Sequence, residues 1–226
     1  MYKNILAIDT SKQYCLITLQ KKKHICNIVY YCPYSHTKYL LFLIKKILKR
    51  QNIFLSDIHL LGYNLGPGNF SSMRIGIALI ETISYVFNIP KIGISHLMIL
   101  AEKSWKKTGI KNIITTIKCD KNHIYFALYK KNIKGLWIGK NTECILNNNN
   151  FLNKISVLRG EWVLLSDTNQ DLKQNIKKLL NKDLKIFFLQ KISNSSEEII
   201  HIINNMIINK KKINKNYKIN YMKNTI

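Results

Sequence analysis

Apolar residues recur at two different spacings in the first half of the chain. Residues 4–9, 14–19 and 25–31 are short runs rich in β-branched and aromatic side chains, and polar segments separate them. Such runs predict strands, and their close spacing predicts an antiparallel meander. From Ser35 to Gln51 the apolar positions follow helical spacing, so this segment predicts the first helix.

The alternation continues to residue 107 and then recurs. Residues 58–64 and 91–94 predict strands, whereas 71–87 and 96–107 predict helices, which gives the order βββαβαβα. A polar segment at 106–112 predicts a boundary between an N-terminal domain at 1–107 and a second domain at 112–226. The second domain repeats the order, with strands predicted at 113–118, 124–129, 136–146, 162–165 and 185–189, and with helices ending near 155 and spanning 170–181 and 195–208. The tail from 209 onward is basic, and we expect it to be partly disordered.

The order βββαβαβα, present twice, resembles the plan of the sugar-kinase, actin and chaperone ATPase superfamily. The catalytically active members of that superfamily hold phosphates in glycine-rich hairpin turns near an acidic residue. The first hairpin here contains Asp9, Thr10 and Ser11, and the corresponding turn in the second half is 118–122. Neither turn contains a glycine, so side chains stand where the backbone would have to approach a phosphate. We expect a degenerate nucleotide site near Asp9, Thr10 and Ser11, without a bound cofactor or a catalytic residue, and we expect Asp9 to cap its own turn.

The turn Gly66-Pro67-Gly68 and the helix after it form the centre of the first half. Glycines that flank a proline mark a sharp structural turn, and Ser71 or Ser72 can cap the following helix. Such a helix start can hold an anion or seat a neighbouring backbone, and the missing hairpin glycines favour the second use. A peptidase-like hydrolase that uses Ser71 or Asp9 stays open as an alternative, although no histidine and acid stand in an order that supports it.

The first two helices carry more apolar surface than one sheet can bury. Apolar residues extend most of the way around both helices, and Gly76 and Ala78 are small enough for another helix to approach. This surplus predicts a protein interface, unless the second domain or the tail covers it. The predicted interface residues are His36, Tyr39, Phe42, Leu43, Lys46, Phe70, Met73, Arg74, Ile77 and Ile80.

The net charge of +24 would suit a nucleic-acid-binding protein, so a basic RNA-binding module is a second alternative. The excess is nearly all lysine and accompanies heavy use of asparagine and isoleucine, which favours codon drift toward A and T as its main cause.

The five cysteines form no C-x-x-C pair and the six histidines are dispersed, so neither a disulfide framework nor a metal site is predicted. Short apolar runs and an N-terminus unlike a secretory signal predict a cytoplasmic protein without membrane contact.

Several segments resemble the TsaB (YeaZ) family. They are Ile5-Leu6-Ala7-Ile8-Asp9-Thr10, His36-Thr37, Gly66-Pro67-Gly68-Asn69-Phe70 with Arg74-Ile75-Gly76, Gly93-Ile94-Ser95, and Tyr125. The resemblance implies two ribonuclease H-like domains, each a mixed sheet with flanking helices. It also implies a non-catalytic subunit that binds the catalytic subunit TsaD through its first two helices. That complex forms N6-threonylcarbamoyladenosine at position 37 of tRNAs that read codons beginning with A.

The same resemblance implies a TsaE-type ATPase as a partner through the complex, and it leaves tRNA contact and a homodimer through the same face open. The likeness is good in the first half and thins in the second. The family has Ser-Phe-Thr-Gly where this chain has Asn69-Phe70-Ser71-Ser72, and Lys118 and Asp120 replace a usual acid and arginine. These departures concern the role of the second domain more than the first-domain interface.

Overall fold

The computed structural model describes residues 2–166, 170–179, 182–189 and 194–210. Within them the chain forms two compact units. The first runs to Ile99 and also contains the last helix, whereas the second begins at Leu100, inside the third helix. Each unit has one mixed sheet with flanking helices, which confirms the predicted fold class. The basic tail lies outside the described residues from 211 onward, as do the last two positions of the helix predicted at 170–181.

The sheet of the first unit has the spatial order β3-β2-β1-β4-β5. Its strands are β1 (Asn4–Asp9), β2 (Tyr14–Lys21), β3 (His24–Tyr31), β4 (Leu60–Asn64) and β5 (Lys91–Ile94). β1, β2 and β3 form the predicted antiparallel meander, and β4 and β5 continue the sheet parallel to β1. Two crossover helices, α1 (His36–Arg50) and α2 (Phe70–Phe87), connect β3 to β4 and β4 to β5.

Helices cover both faces of this sheet, and for that reason its central strands are apolar without alternation. Leu6 and Ile8 of β1 belong to a core cluster that includes residues of α1 and α2. On the other face lies α6 (Glu197–Ile208), which contacts β1, β2 and β4. A Cβ atom added to Gly62 of β4 would lie 2.7 Å from Ile203 Cδ1, so glycine allows the close approach of α6.

Polar contacts also fix α6 on the first sheet. The hydroxyl groups of Thr18 and Ser196 are 2.7 Å apart, and Asn204 donates a hydrogen bond to Gln20 Oε1 at 2.7 Å. The assignment of residues 112–226 to one second domain is therefore corrected at this helix. The sequence showed an apolar helix there, but apolar periodicity does not identify the sheet against which a helix packs.

The sheet of the second unit has the order β11-β10-β6-β7-β8, with β9 also paired to β7. Its strands are β6 (Asn112–Lys118), β7 (His123–Lys131), β8 (Trp137–Ile138), β9 (Cys144–Asn147), β10 (Gly160–Leu165) and β11 (Leu184–Leu189). β6, β10 and β11 run parallel, and β7 pairs antiparallel with β6. This repeats the connectivity of the first sheet. The helices are α3 (His96–Thr108), which begins in the first unit, α4 (Asn148–Ser156) and α5 (Gln170–Leu179).

The strand predicted at 136–146 is broken in the structure. β8 and β9 both pair with β7, and a 3-10 turn at Lys140–Thr142 separates them. The Thr142 hydroxyl accepts a hydrogen bond from Leu128 N at 2.9 Å and so replaces a strand partner of β7 at this point. The turn begins at Gly139, whose φ is 127° and where an added Cβ would lie 1.9 Å from Leu128 O. Apolar residues continue on both sides of the break and hide it in the sequence.

We expect Gly139→Ala to lower the free energy of unfolding by about 2–3 kcal/mol. Alanine would occupy a backbone region that strains L-residues, and its Cβ would push the β7 backbone away. Gly160→Ala is the matched control, because Gly160 has a φ of 82° but no atom within 4 Å of an added Cβ. Urea unfolding of both variants measures the difference, and equal losses would contradict the steric explanation.

A buried ion pair joins α3 to β7 in the second unit. Lys131 Nζ lies 2.6 Å from Glu102 Oε2, and the two side chains are 3% and 1% exposed. The same carboxylate oxygen accepts a hydrogen bond from Trp137 Nε1 at 2.7 Å, and Lys131 Nζ lies 3.2 Å from the centre of the Trp105 ring. Burial lowers the pKa of Lys131, while Glu102 acts against this shift.

Candidate functional site

The Gly66-Pro67-Gly68 turn packs against the hairpin turn between β1 and β2. Asn69 N donates a hydrogen bond to Ser11 O at 2.8 Å. A Cβ atom on Gly68 would lie 2.7 Å from Ser11 Cβ and 2.8 Å from Ser11 O, so this approach needs glycine. The turn, which contains a cis Gly66–Pro67 bond, therefore seats a neighbouring backbone, as predicted.

Asn69 caps α2, so the prediction of Ser71 or Ser72 as the cap was wrong. The helix begins at Phe70, and Asn69 Oδ1 accepts a hydrogen bond from Ser72 N at 3.2 Å. Asparagine and serine are comparable N-cap residues, and the sequence alone does not choose among three neighbouring candidates.

Asp9 lies at the carboxyl end of β1 and is only 4% exposed. Its Oδ1 accepts a hydrogen bond from Ser11 N at 2.8 Å, and its Oδ2 accepts one from Asn64 Nδ2 at 3.0 Å. Burial by itself raises the pKa of Asp9, but nearby His96 and the hydrogen bonds from Ser11 and Asn64 hold that pKa below its usual value. The carboxylate thus caps its own turn, as expected.

We predict that Asp9 contributes stability at neutral pH that is lost in acid. Its pKa is lower in the folded chain than the value of about 3.9 expected in the unfolded chain. The unfolded chain therefore binds more protons in acid, and stability falls as the pH drops below about 4 toward the folded pKa. Urea unfolding of the native chain and Asp9→Asn should show a stability gap that narrows below about pH 4. A gap that stays constant would contradict this assignment.

Asn64 and His96 belong to this site but were not predicted. Asn64 Oδ1 accepts a hydrogen bond from Gly66 N at 2.9 Å, and His96 Nδ1 lies 2.7 Å from Pro67 O. The two side chains thus connect Asp9 to the Gly66-Pro67-Gly68 turn. Their positions in the sequence could have identified them, because Asn64 ends β4 and His96 follows β5. Polar residues at the carboxyl ends of parallel strands meet at one edge of the sheet.

The corresponding hairpin of the second unit is closed in a similar way. Asp120 Oδ1 accepts hydrogen bonds from Asn122 N at 2.7 Å and from His123 N at 2.8 Å. The bond from Asn122 N contributes most to lowering the pKa of Asp120, and the contacts with His123 lower it further. In both hairpins the aspartate therefore accepts hydrogen bonds from backbone N–H groups of its own turn. Neither hairpin contains the glycines of a phosphate-binding turn.

A cavity of about 500 Å³ opens beside the first hairpin. Its lining includes Lys12, Tyr34, His36, Asn69, Ser71 and Ile75. In the part of the chain that the structure describes, Ser71 has no histidine or carboxylate as a hydrogen-bond partner. His36 Nε2 instead lies 3.0 Å from Lys12 O. A nucleophile activated by a neighbouring base is not assembled from these residues, which weakens the peptidase alternative.

Five of the ten predicted interface residues are buried in the first unit, so their assignment to an interface is corrected. They are His36, Leu43, Met73, Ile77 and Ile80. Apart from His36, they belong to the core cluster between the sheet and the helices. Because apolar residues extend nearly around both helices, the sequence pattern did not distinguish the sheet side from the outer side. Tyr39, Phe42, Lys46, Phe70 and Arg74 are half-buried or exposed and remain candidates.

The outer face of α1 and α2 is rich in exposed apolar side chains. We define it by Leu41, Phe42, Phe70, Arg74, Tyr85 and Val86. Phe42 is 59% exposed and Phe70 is 53% exposed, and the Arg74 guanidinium lies 3.8 Å from the centre of the Phe70 ring. A groove of about 340 Å³, lined by residues that include Tyr30, Tyr39, Phe42 and Lys46, lies between β3 and α1.

The length and composition of α2 alone would also suit a membrane span, with a mean hydropathy of 1.2 over its 18 residues. In the fold, however, α2 connects the neighbouring parallel strands β4 and β5 and packs against β4. Its apolar excess therefore belongs to a crossover helix, one side of which covers the sheet.

Cys15, Cys32 and His36 form a buried cluster that sequence spacing did not reveal. One ligand atom from each lies within 4.8 Å of the other two, and Cys32 Sγ lies 3.2 Å from Cys15 Sγ. Burial contributes most to the raised pKa of Cys15, followed by the Cys32 thiol.

Comparison with known proteins agrees with this architecture. A family model described as "TsaD: tRNA N6-adenosine threonylcarbamoyltransferase" matches residues 32–142. A Buchnera aphidicola (subsp. Baizongia pistaciae) protein named tRNA threonylcarbamoyladenosine biosynthesis protein TsaB is 36% identical over 215 residues, which cover 94% of this chain and 95% of that protein. The chain belongs to the TsaB family.

A further relative has the same name, and a solved structure shares the fold. The Escherichia coli K12 protein of the same name is 33% identical over 159 residues, which cover 70% of this chain and 69% of that protein. YeaZ from Pseudomonas aeruginosa shares the fold, with a TM-score of 0.73 over 92% of this chain and 93% of that chain at 17% identity. The TsaB resemblance is confirmed, and the two mixed sheets with flanking helices agree with the predicted fold class.

Proposed function

We propose that this chain is a non-catalytic subunit that binds a TsaD-type catalytic subunit in tRNA threonylcarbamoyladenosine biosynthesis. The complex would form N6-threonylcarbamoyladenosine at position 37 of tRNAs that read codons beginning with A, with a TsaE-type ATPase joining through the complex. Membership of the TsaB family supports the pathway. The TsaB resemblance supplies the choice of partner, and the chain's own residues support an interface and a role without catalysis.

The outer face of α1 and α2 is the observation that carries the proposal. Phe42 and Phe70 are each more than half exposed, and the groove beside Phe42 also contains Tyr30 and Tyr39. Exposed aromatic side chains around a groove are typical of the centre of a protein interface. α6 packs on the opposite face of the sheet, so this helix does not cover the outer face of α1 and α2.

The first hairpin supports a role without catalysis. Both carboxylate oxygens of Asp9 accept hydrogen bonds from within the fold, and Asn69 N donates a hydrogen bond to Ser11 O. Gly68 lies against Ser11, and a Cβ added to Gly76 would lie 2.3 Å from Thr10 Oγ1, so α2 and its turn pack closely on this hairpin. These contacts cover the backbone of the first hairpin, which also contains no glycine at which a phosphate could approach that backbone.

Co-purification with the TsaD-type subunit tests the proposal. We expect the full chain to co-purify with a tagged TsaD-type subunit in a fixed stoichiometry. We also expect modified tRNA, measured by nucleoside mass spectrometry, only when both chains are present. Modified nucleoside formed by this chain alone, or failure of the two chains to associate, would overturn the proposal.

Two further measurements distinguish a homodimer and an RNA-binding module from the proposed function. Sedimentation of the free chain shows whether the outer face pairs with a second copy, a contact that the TsaD-type subunit should then displace. If the isolated chain instead binds tRNA with a steep salt dependence and ignores the TsaD-type subunit, the net charge of +24 would favour an RNA-binding module.

A further inference from the structure

The cluster of Cys15, Cys32 and His36 is assembled by three different elements. Cys15 lies in β2, Cys32 directly follows β3, and His36 is the first residue of α1. All three side chains are buried, with exposed fractions of 0%, 3% and 4%. Cys32 and His36 stand in a Cys-x3-His spacing across one tight turn, in which Ser35 N donates a hydrogen bond to Cys32 O at 3.1 Å. Zinc sites typically draw ligand pairs from residues separated by about two to five positions, although the usual pairs are two cysteines or two histidines.

The environment of His36 fits a metal ligand. Its Nε2 lies 3.0 Å from Lys12 O, a carbonyl that only accepts, so Nε2 carries the proton and donates it. The neutral ring then has its lone pair on Nδ1. Histidines that bind metal ions in proteins usually donate the other ring N–H to a carboxylate or a backbone carbonyl, which fixes the tautomer. His36, though neither cysteine, also lines the cavity of about 500 Å³ beside the hairpin, so this cavity reaches one ligand of the cluster.

The chemistry of the donor set selects the class of ion. Two thiolates and one neutral imidazole balance the charge of a divalent cation, so the occupied site would be neutral and suited to burial. Sulfur and imidazole ligands favour borderline or soft ions such as Zn²⁺ over Mg²⁺ and Ca²⁺, which prefer oxygen. Binding releases the two thiol protons to solvent, because a coordinated thiol is deprotonated.

Strand geometry favours a bridging ion over a direct disulfide. The register places Cys15 opposite Tyr30, and Cys32 N donates a hydrogen bond to Gln13 O, so the two cysteines are diagonal neighbours. Diagonal positions are about 7–8 Å apart, whereas disulfides usually join Cα atoms about 4.4–6.8 Å apart. Two sulfurs bound to one tetrahedral zinc at about 2.3 Å each are about 3.8 Å apart. The 3.2 Å sulfur separation needs only a small adjustment to reach that value.

We propose that Cys15, Cys32 and His36 bind one borderline-soft metal ion, with Zn²⁺ as the probe, and that water from the adjacent cavity completes its coordination. The ion would tie β2 and the end of β3 to the start of α1. This site does not depend on the interface proposed for the outer face of α1 and α2, since its three ligands are buried and none of them belongs to that face.

The experiment uses the full chain, purified without a histidine tag and under reducing conditions. We expect one Zn²⁺ per chain in competition with a chromophoric chelator, and a higher melting temperature with Zn²⁺ than with excess chelator. Cys32→Ser and His36→Ala should each weaken Zn²⁺ binding at least about 10–100-fold, as changes around metal sites do. Cys26→Ser is the matched control, because Cys26 is a half-buried thiol of β3 that lies outside the cluster.

Co²⁺ added to the native chain gives a measurement that does not depend on the folding of variants. We expect the intense charge-transfer absorption of thiolate-bound Co²⁺ and the visible bands of a tetrahedral ion. Absence of thiolate bands, or Zn²⁺ binding that survives in folded Cys32→Ser, would overturn the proposal and indicate a surface ion only. A Cys15–Cys32 disulfide found by peptide mapping in metal-free chain, with no Zn²⁺ binding after reduction, would overturn it in favour of a disulfide.

Discussion

Phe42→Glu should abolish co-purification with the TsaD-type subunit while the chain stays folded. Phe42 is 59% exposed in the free chain, and burying it in an interface contributes about 1.5–3 kcal/mol. A carboxylate at this position would be desolvated in an apolar contact, which costs several kcal/mol more. Together we expect a loss of about 4 kcal/mol or more, or roughly a 1,000-fold weaker complex. Pull-down and titration calorimetry with the TsaD-type subunit measure it.

The free helix should tolerate this substitution. Lys46 stands one turn after position 42, and a Glu–Lys pair at i, i+4 stabilises an exposed helix by a few tenths of a kcal/mol. Circular dichroism and the melting temperature check that the variant is folded. Phe187→Glu is the matched control, because Phe187 is 47% exposed on β11 in the second unit. Unchanged binding by folded Phe42→Glu would show that the outer face is not the interface.

Met73→Glu does not test the same face, although the sequence placed Met73 beside Phe42 in the predicted interface. Met73 is only 6% exposed and belongs to the core cluster. A glutamate there would unfold the first unit and thereby remove binding for an unrelated reason. The distinction matters for experimental design, since half of the residues predicted from the sequence would give this misleading result.

Apolar spacing predicted most of the elements because it is a local property of the chain. The meander of β1 to β3 follows from short apolar runs separated by polar segments, and the crossover helices α1 and α2 follow from helical spacing. The repeated connectivity of the two sheets then follows from the order of those elements. The tight turn at Gly66 to Gly68 was also predictable, because glycine and proline restrict the backbone wherever they occur.

The features that were missed depend on contacts between distant residues. Ile77 and Ile80 are buried because of the rotation of α2 on the sheet, which a helix apolar on several sides does not reveal. α6 was assigned to the wrong unit for a similar reason. Cys15 and Cys32 are 17 positions apart, and only the diagonal pairing of β2 and β3 places their sulfur atoms together. Asn64 and His96 likewise reach Asp9 and its turn through the sheet.

Glu102→Gln should lower the free energy of unfolding by about 3–5 kcal/mol, because it leaves a buried ammonium group without its counter-charge. Lys131 Nζ lies 2.6 Å from Glu102 Oε2, and both side chains are almost fully buried. Glutamine keeps the shape and can still accept the hydrogen bond from Trp137, so the change isolates the charge. Glu161→Gln is the control on an exposed pair, since Glu161 and Lys185 are 3.7 Å apart at 57% and 65% exposure. Its expected effect is about 0–1 kcal/mol.

The double variant Glu102→Met with Lys131→Met decides whether the loss comes from an unpaired charge. If it does, removing both groups should destabilise the chain less than removing either one, because a buried pair replaced by apolar side chains is often neutral in stability. The rings of Trp105 and Trp137 provide apolar surroundings for two methionines, and the lost acceptor of Trp137 Nε1 is common to Glu102→Met and the double variant, so it cancels in the comparison. Urea unfolding of the native chain, Glu102→Met, Lys131→Met and the double variant completes the cycle. Losses that simply add would contradict the charge-pair explanation and would assign the effect to packing around the two tryptophans.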